Sequence, residues 1–139
     1  MLFDPQKQPQ VRNFGWQQVQ YLRATINYND PNITAGVRFA RLPQNAFITQ
    51  VSAYVVTAFN AGTTNPVSVG ITQASANEIV AAIPGQTAGF QPFTAAAGLG
   101  LAATAAGDTD VWCKYAPTGA AATAGQIVVM IAFILNNDQ

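Results

Sequence analysis

The 139-residue chain contains no histidine, which removes the commonest general base and metal ligand at neutral pH. Its one cysteine, Cys113, has no second cysteine to pair with and no histidine to lower its thiol pKa. It reads as a buried, inert thiol in a chain assembled in a reducing cytoplasm. No glycine-rich phosphate loop is present: Gly98-Leu99-Gly100 lacks the third glycine and the lysine that such a loop needs. These absences leave no catalytic, cofactor-binding or metal-binding residues to name, and the chain is read as not an enzyme.

Charge is scarce as well. Six basic and six acidic residues make up 9% of the chain, against about 25% in an ordinary soluble domain. A neutral chain without a basic cluster lacks the electrostatic footprint of a nucleic-acid binder or of a protein drawn to anionic lipid. Met1 to Lys7 shows no basic stretch followed by an apolar one, so no secretory signal is expected. The longest strongly apolar run, Ile127 to Leu135, is too short for a membrane helix. A surface with so few charges resists association poorly. Much of it is therefore expected to be covered by partner proteins, including a second copy of the chain as a homodimer.

Few carboxylates stand close together. Asp108 and Asp110 are spaced for one side of an extended chain, a geometry that suits a calcium ion, but they also suit a loop that leads into a strand. The loop reading is preferred. Glu78 is isolated, and Asn32-Ile33-Thr34 matches a glycosylation sequon that has no secretory route to serve it.

What is present is strand periodicity. Half of the residues are hydrophobic, enough for one packed core in a single domain of this length. Leu22 to Tyr28, Val37 to Arg41, Phe47 to Phe59, Val67 to Ile71 and Val111 to Tyr115 alternate apolar with polar residues. Within Phe47 to Phe59, Val51, Ala53 and Val55 oppose Gln50, Ser52 and Tyr54. Asn77 to Ile83 fits either one helical turn capped by Asn77 or a short strand stopped by Pro84-Gly85. Ala95 to Gly107 reads as a loop around a weak strand near Leu99 to Ala103. Gln126 to Leu135 is apolar on both faces and β-branched, and belongs at the centre of a sheet sandwich. Seven or eight strands with turns rich in Gly, Pro and Asn predict an all-β fold, a two-sheet antiparallel sandwich of jelly-roll or Greek-key topology.

Residues 1–18 differ in composition from the rest. They hold Pro5, Pro9 and several glutamines, with Phe3, Val11, Phe14 and Trp16 at no regular period. They are read as an extended N-terminal arm, followed by a single β-sandwich domain over 19–139. Phe3, Val11, Phe14, Trp16 and Tyr21 are the candidate protein-interface residues. Trp16, Trp112, Tyr21, Tyr28, Tyr54 and Tyr115 would alternatively supply an aromatic platform for sugar, against core and interface roles for the same residues.

Three stretches carry a resemblance: Arg41-Leu42-Pro43-Gln44-Asn45-Ala46-Phe47-Ile48-Thr49-Gln50-Val51, Val67-Ser68-Val69-Gly70-Ile71-Thr72, and Gly119 to Phe133 with Thr123-Ala124-Gly125-Gln126-Ile127-Val128-Val129. From about Val37 onward the chain resembles the capsid cement, or decoration, proteins of tailed bacteriophages, and in size and layout the jelly-roll cement protein of a short-tailed Bordetella phage. The resemblance implies a structural virion protein on the outer capsid surface, assembled in the host bacterial cytoplasm, whose partner is the major capsid protein. A head-fibre or receptor- and glycan-binding module of a phage particle is the alternative.

Overall fold

The computed structural model describes residues 19–93 and 104–135. Among these are eight strands: β1 (Gln20–Asn27), β2 (Val37–Leu42), β3 (Ala46–Thr57), β4 (Pro66–Gly70), β5 (Val80–Pro84), β6 (Gly89–Phe93), β7 (Thr109–Tyr115) and β8 (Gln126–Leu135). They form two antiparallel four-stranded sheets, ordered β1-β8-β3-β6 and β2-β7-β4-β5. The pairings β1 with β8, β2 with β7, β3 with β6 and β4 with β5 are those of one long hairpin whose tip is β4-β5. Rolled so that β3 also meets β8 and β4 also meets β7, that hairpin becomes a jelly roll. The predicted all-β sandwich is present, and its topology is the jelly-roll one.

The inner faces form the core. Val51, Ala53, Val55, Ile127, Val129 and Ile131 of one sheet meet Val67, Val69, Ile83, Val111, Cys113 and Tyr115 of the other, all buried. Cys113 is fully buried, and burial pushes its thiol up to about 12, so it stays protonated and unreactive.

Two details depart from simple alternation. A straight β3 would place Phe47 on the same face as Val51, Ala53 and Val55. A bulge at Thr49 instead shifts the register between Ile48 and Gln50, which buries Ile48 and leaves Phe47 exposed. The Asn77 to Ile83 segment is no helical turn. Its second half is β5, and Glu78 turns back to accept hydrogen bonds from the backbone N–H groups of Ile71 (3.0 Å) and Asn77 (3.2 Å) and from Ser75 Oγ (3.1 Å). Gly70 is required beside it, because a Cβ there would meet the Glu78 carboxylate and the backbone at Ala76 and Asn77. The weak strand expected near Leu99 to Ala103 lies outside the described residues.

The loops at one end of the sandwich are bound to each other. Asn65, buried, accepts hydrogen bonds at Oδ1 from Tyr115 Oη (2.6 Å) and the Ala61 N–H (2.9 Å), and donates through Nδ2 to the Ala61 carbonyl. Phe59 stacks on Tyr115 at 4.7 Å between ring centroids. Asn60 accepts from the Thr123 and Ala124 N–H groups, and the backbone of Thr63 and Thr64 pairs with Thr118. At the opposite end, Thr104 ties the start of the segment before β7 to the β2–β3 turn. Its carbonyl takes the Asn45 N–H and its hydroxyl donates to the Ala46 carbonyl.

Candidate functional site: the outer face of one sheet

Strand registers place outward residues of the β1-β8-β3-β6 sheet in rows. Thr25, Val128, Tyr54 and Phe90 form one row; Arg23, Met130 and Ser52 the next; Tyr21, Ala132 and Gln50 a third; Ile134 and Phe47 a fourth. Among the described residues the large apolar side chains left exposed are Val19, Tyr21, Phe47, Tyr54, Val56 and Phe90. All six belong to this sheet or to the residue that enters it. Tyr21 and Phe90 are the most open, at 68% and 58% exposed. Val128, Met130 and Ile134 of the central strand β8 lie between them half-buried. Arg23 is the one charged residue in these four strands among the described residues. A sheet face with this many exposed large apolar side chains and a single charge has the composition that suits an interaction surface.

The two-sided apolar pattern of β8 therefore has a different origin from the one expected. β8 is central within its sheet, but its outward residues meet no second layer among the described residues. They are the middle of the exposed face.

The other sheet carries the charge. Asp110 accepts from Arg41 Nε at 2.8 Å and lies 3.6 Å from Arg38 Nη1. The hydrogen bond from Arg41, with the charges of both arginines, holds its carboxyl below the ordinary aspartate range. Asp108 accepts the Gln44 N–H at 2.9 Å. Asp108 thus acts as the loop residue the sequence suggested, holding the β2–β3 turn, whereas Asp110 lies within β7 and ties that strand to Arg38 and Arg41 of β2. Among the described residues there is no cluster of three metal-ligating side chains.

Of the candidate interface residues, Tyr21 lies on the apolar face; Phe3, Val11, Phe14 and Trp16 lie outside the described residues. The aromatic residues make no single platform: Tyr21 and Tyr54 are on the apolar face, Trp112 is half-buried on β7 of the other sheet, and Tyr115 is in the core. Tyr54 entered the sequence reading only as part of a sugar platform, and Phe90, Phe47, Val56 and Val19 did not enter it as interface residues. The signal of Tyr54 and Val56 lay in apolar residues on the nominally polar side of β3, and that of Phe90 in the segment that forms β6.

No protein-family model and no curated protein matches the sequence. The jelly roll does match solved structures. A chain of the Ralstonia phage GP4 capsid is 22% identical with a TM-score of 0.61, over 96% of this chain and 94% of that one. A chain of the cyanophage Pam1 capsid asymmetric unit is 18% identical with a TM-score of 0.59, over 97% and 98%. A chain of the acidic stable capsid of Helicobacter pylori bacteriophage KHP30 is 20% identical with a TM-score of 0.54, over 84% and 87%. At these identities what is shared is the fold.

Proposed function

We propose that this protein is a structural component of a phage particle that binds the outside of the capsid and stabilises contacts between major capsid protein subunits, as a cement or decoration protein. The observation that carries this reading is the near end-to-end fold match to chains of phage capsid structures. The apolar sheet face, with Arg23 as its single charge among the described residues, supports it, because such a face suits a partner-covered state. Binding that exists only in the assembled shell stabilises that shell by mass action, without any chemistry. Repetition over a symmetric lattice lets many modest contacts hold together. In this reading Tyr21 and the neighbouring face meet the shell or a second copy, and Phe3, Val11, Phe14 and Trp16 of residues 1–18 supply further anchors.

The test is to compare particles that carry and lack the protein, by electron microscopy and by heating. Added density on the outer shell, with a higher temperature of shell disruption, is the expected result. Density confined to a fibre, or saturable glycan binding by the isolated protein, would favour the head-fibre or receptor-binding alternative. Removing residues 1–18 should leave a folded β domain that attaches more weakly. Unchanged attachment would remove the arm from the interface.

A further inference from the structure

Four strands stand at sheet edges: β1, β6, β2 and β5. An open edge pairs with other chains unless it is interrupted, and three of the four are interrupted. β2 bulges at Phe39, where the register with β7 shifts, and is flanked by Arg38 and Arg41. β5 carries an extra residue opposite Ser68 and ends at Pro84. β6 contains Pro92, which has no N–H to donate. β1 differs. It runs eight residues in unbroken register with β8 and contains no proline.

The hydrogen bonds show which backbone groups of β1 point outward. Tyr28 N–H donates to the Gly125 carbonyl, which continues the β1–β8 register by one pair. Antiparallel pairs alternate between bonded and non-bonded, so the backbone groups of Ile26, Ala24, Leu22 and Gln20 point toward β8. Those of Asn27, Thr25, Arg23 and Tyr21 point to the free edge. Asp30 confirms the parity: its carboxylate takes the Asn27 N–H at 2.8 Å, and its own N–H donates to the Asn27 carbonyl. Asp30 thereby closes the edge at Asn27, and among the described residues the edge is open at Tyr21, Arg23 and Thr25. Leu22 and Ala24, on the inner face, are also only half-buried, unlike the inner residues of β3 and β8.

We infer that two copies of this chain associate through β1, its free edge pairing antiparallel with the same edge of a second copy about a two-fold axis beside Leu22. This rests on the self-association expected above and names its surface. The register follows from charge and closure. Centring the axis on Arg23 would set two arginines directly opposite, which is unfavourable. Centring it on Ala24 would need the Asn27 backbone groups that Asp30 already holds. Centring it on Leu22 sets Tyr21 opposite Arg23 of the second copy, each pair exchanging both N–H···O bonds, with the guanidinium against the ring. The two Leu22 side chains then cover each other. The two apolar faces become one eight-stranded face.

Hydrogen exchange on the unmodified full-length protein, read per amide at several concentrations alongside sedimentation, tests this. A dimer is expected in which the Tyr21, Arg23 and Thr25 amides exchange at least 10-fold more slowly than at dilutions where the monomer prevails. Thr25→Pro removes an outward N–H without touching the β8 ladder, and should keep the fold while weakening the dimer at least 10-fold. Ala24→Pro, one residue away, removes a β8 bond and should impair folding instead. A dimer whose three amides stay fast would overturn the β1 assignment and leave self-association intact. Amides equally slow in monomer and dimer would show the chain's own residues on the edge, and also overturn it. A monomer at every concentration would remove the self-association reading itself.

Discussion

The β1-β8-β3-β6 sheet presents Tyr21, Phe47, Tyr54, Val56 and Phe90 outward with Arg23 as its single charge, whereas the β2-β7-β4-β5 sheet presents Arg38, Arg41, Asp110 and Lys114 and leaves no large apolar side chain exposed among the described residues. Both sheets line the same core with buried aliphatic residues, so folding demands the same of their inner faces. Only the outer faces differ, and folding of the isolated chain does not require that difference. Water tolerates the charged face well. The apolar face is suited to a layer that the chain does not itself supply among the described residues.

The largest expected effect comes from reversing that asymmetry. Tyr54→Asp with Phe90→Asp, adjacent in one cross-strand row, should weaken attachment to capsids about 100-fold, as the loss of two anchors of roughly 1.4 kcal/mol each. Both side chains are about half exposed or more, so the thermal midpoint should move by only a few degrees. Undiminished decoration of capsids would place the contact elsewhere.

Next in size is Asn65→Ala, which breaks the end lock that joins Ala61, in the loop after β3, to Tyr115 of β7. It leaves the Tyr115 hydroxyl and the Ala61 N–H and carbonyl buried without partners, and should cost about 2–3 kcal/mol in denaturant unfolding. Loss below about 0.5 kcal/mol would mean that the two sheets hold together without this lock.

Acid should act on the charged side of the molecule first. Burial pushes the Glu78 carboxyl up, but its hydrogen bonds from Thr72, Ser75 and the Ile71 backbone outweigh that and bring it down to about 2. A carboxyl lowered on folding contributes stability that is present above about 4.5 and is lost as the pH falls toward about 2. Glu78→Gln should therefore lower the melting temperature at pH 7 and flatten its decline across that window. An unchanged acid limb would assign the pH dependence to other groups.

The smallest effects concern salt and metal. Arg41→Ala opens an exposed ion pair, and its thermal midpoint should stay within about a degree of the parent, as surface pairs contribute little. Attachment and self-association should change little between low and high salt, since screening acts on charges and the apolar face carries only Arg23 among the described residues. Chelator or added calcium should leave the melt unchanged. A calcium-dependent rise of several degrees would restore Asp108 and Asp110 as ion ligands.

Much of the fold was legible in the sequence because buried strands leave a period-two signature, clear in β1, β4, β7 and the long β3. β6 was missed because Gly89-Phe90-Gln91-Pro92-Phe93 contains the two residues that normally argue against a strand; at an edge both are tolerated. The side on which Phe47 lies could not be read, because the Thr49 bulge changes the phase of alternation without any residue that announces it. The β5 segment stayed ambiguous until Val80 was seen opposite Val69, a pairing between strands that only the tertiary fold specifies. Scarcity of charge did point to a partner-covered surface. It could not say which face, since that depends on how eight strands divide between two sheets.

The pairing of β1 with β8 also governs how the domain carries load. Gln20 and Phe133 face each other at the end of the sandwich where both strands meet the chain's outer segments. A pull between the two ends would peel the strands apart one rung at a time from Gln20, the weak direction for an antiparallel pair. Tension entering through the sheet face would instead be shared across all four strands and passed into the core. A protein held by its sheet face would spread such a load over several strands, while one tethered at both chain ends would open like a zip.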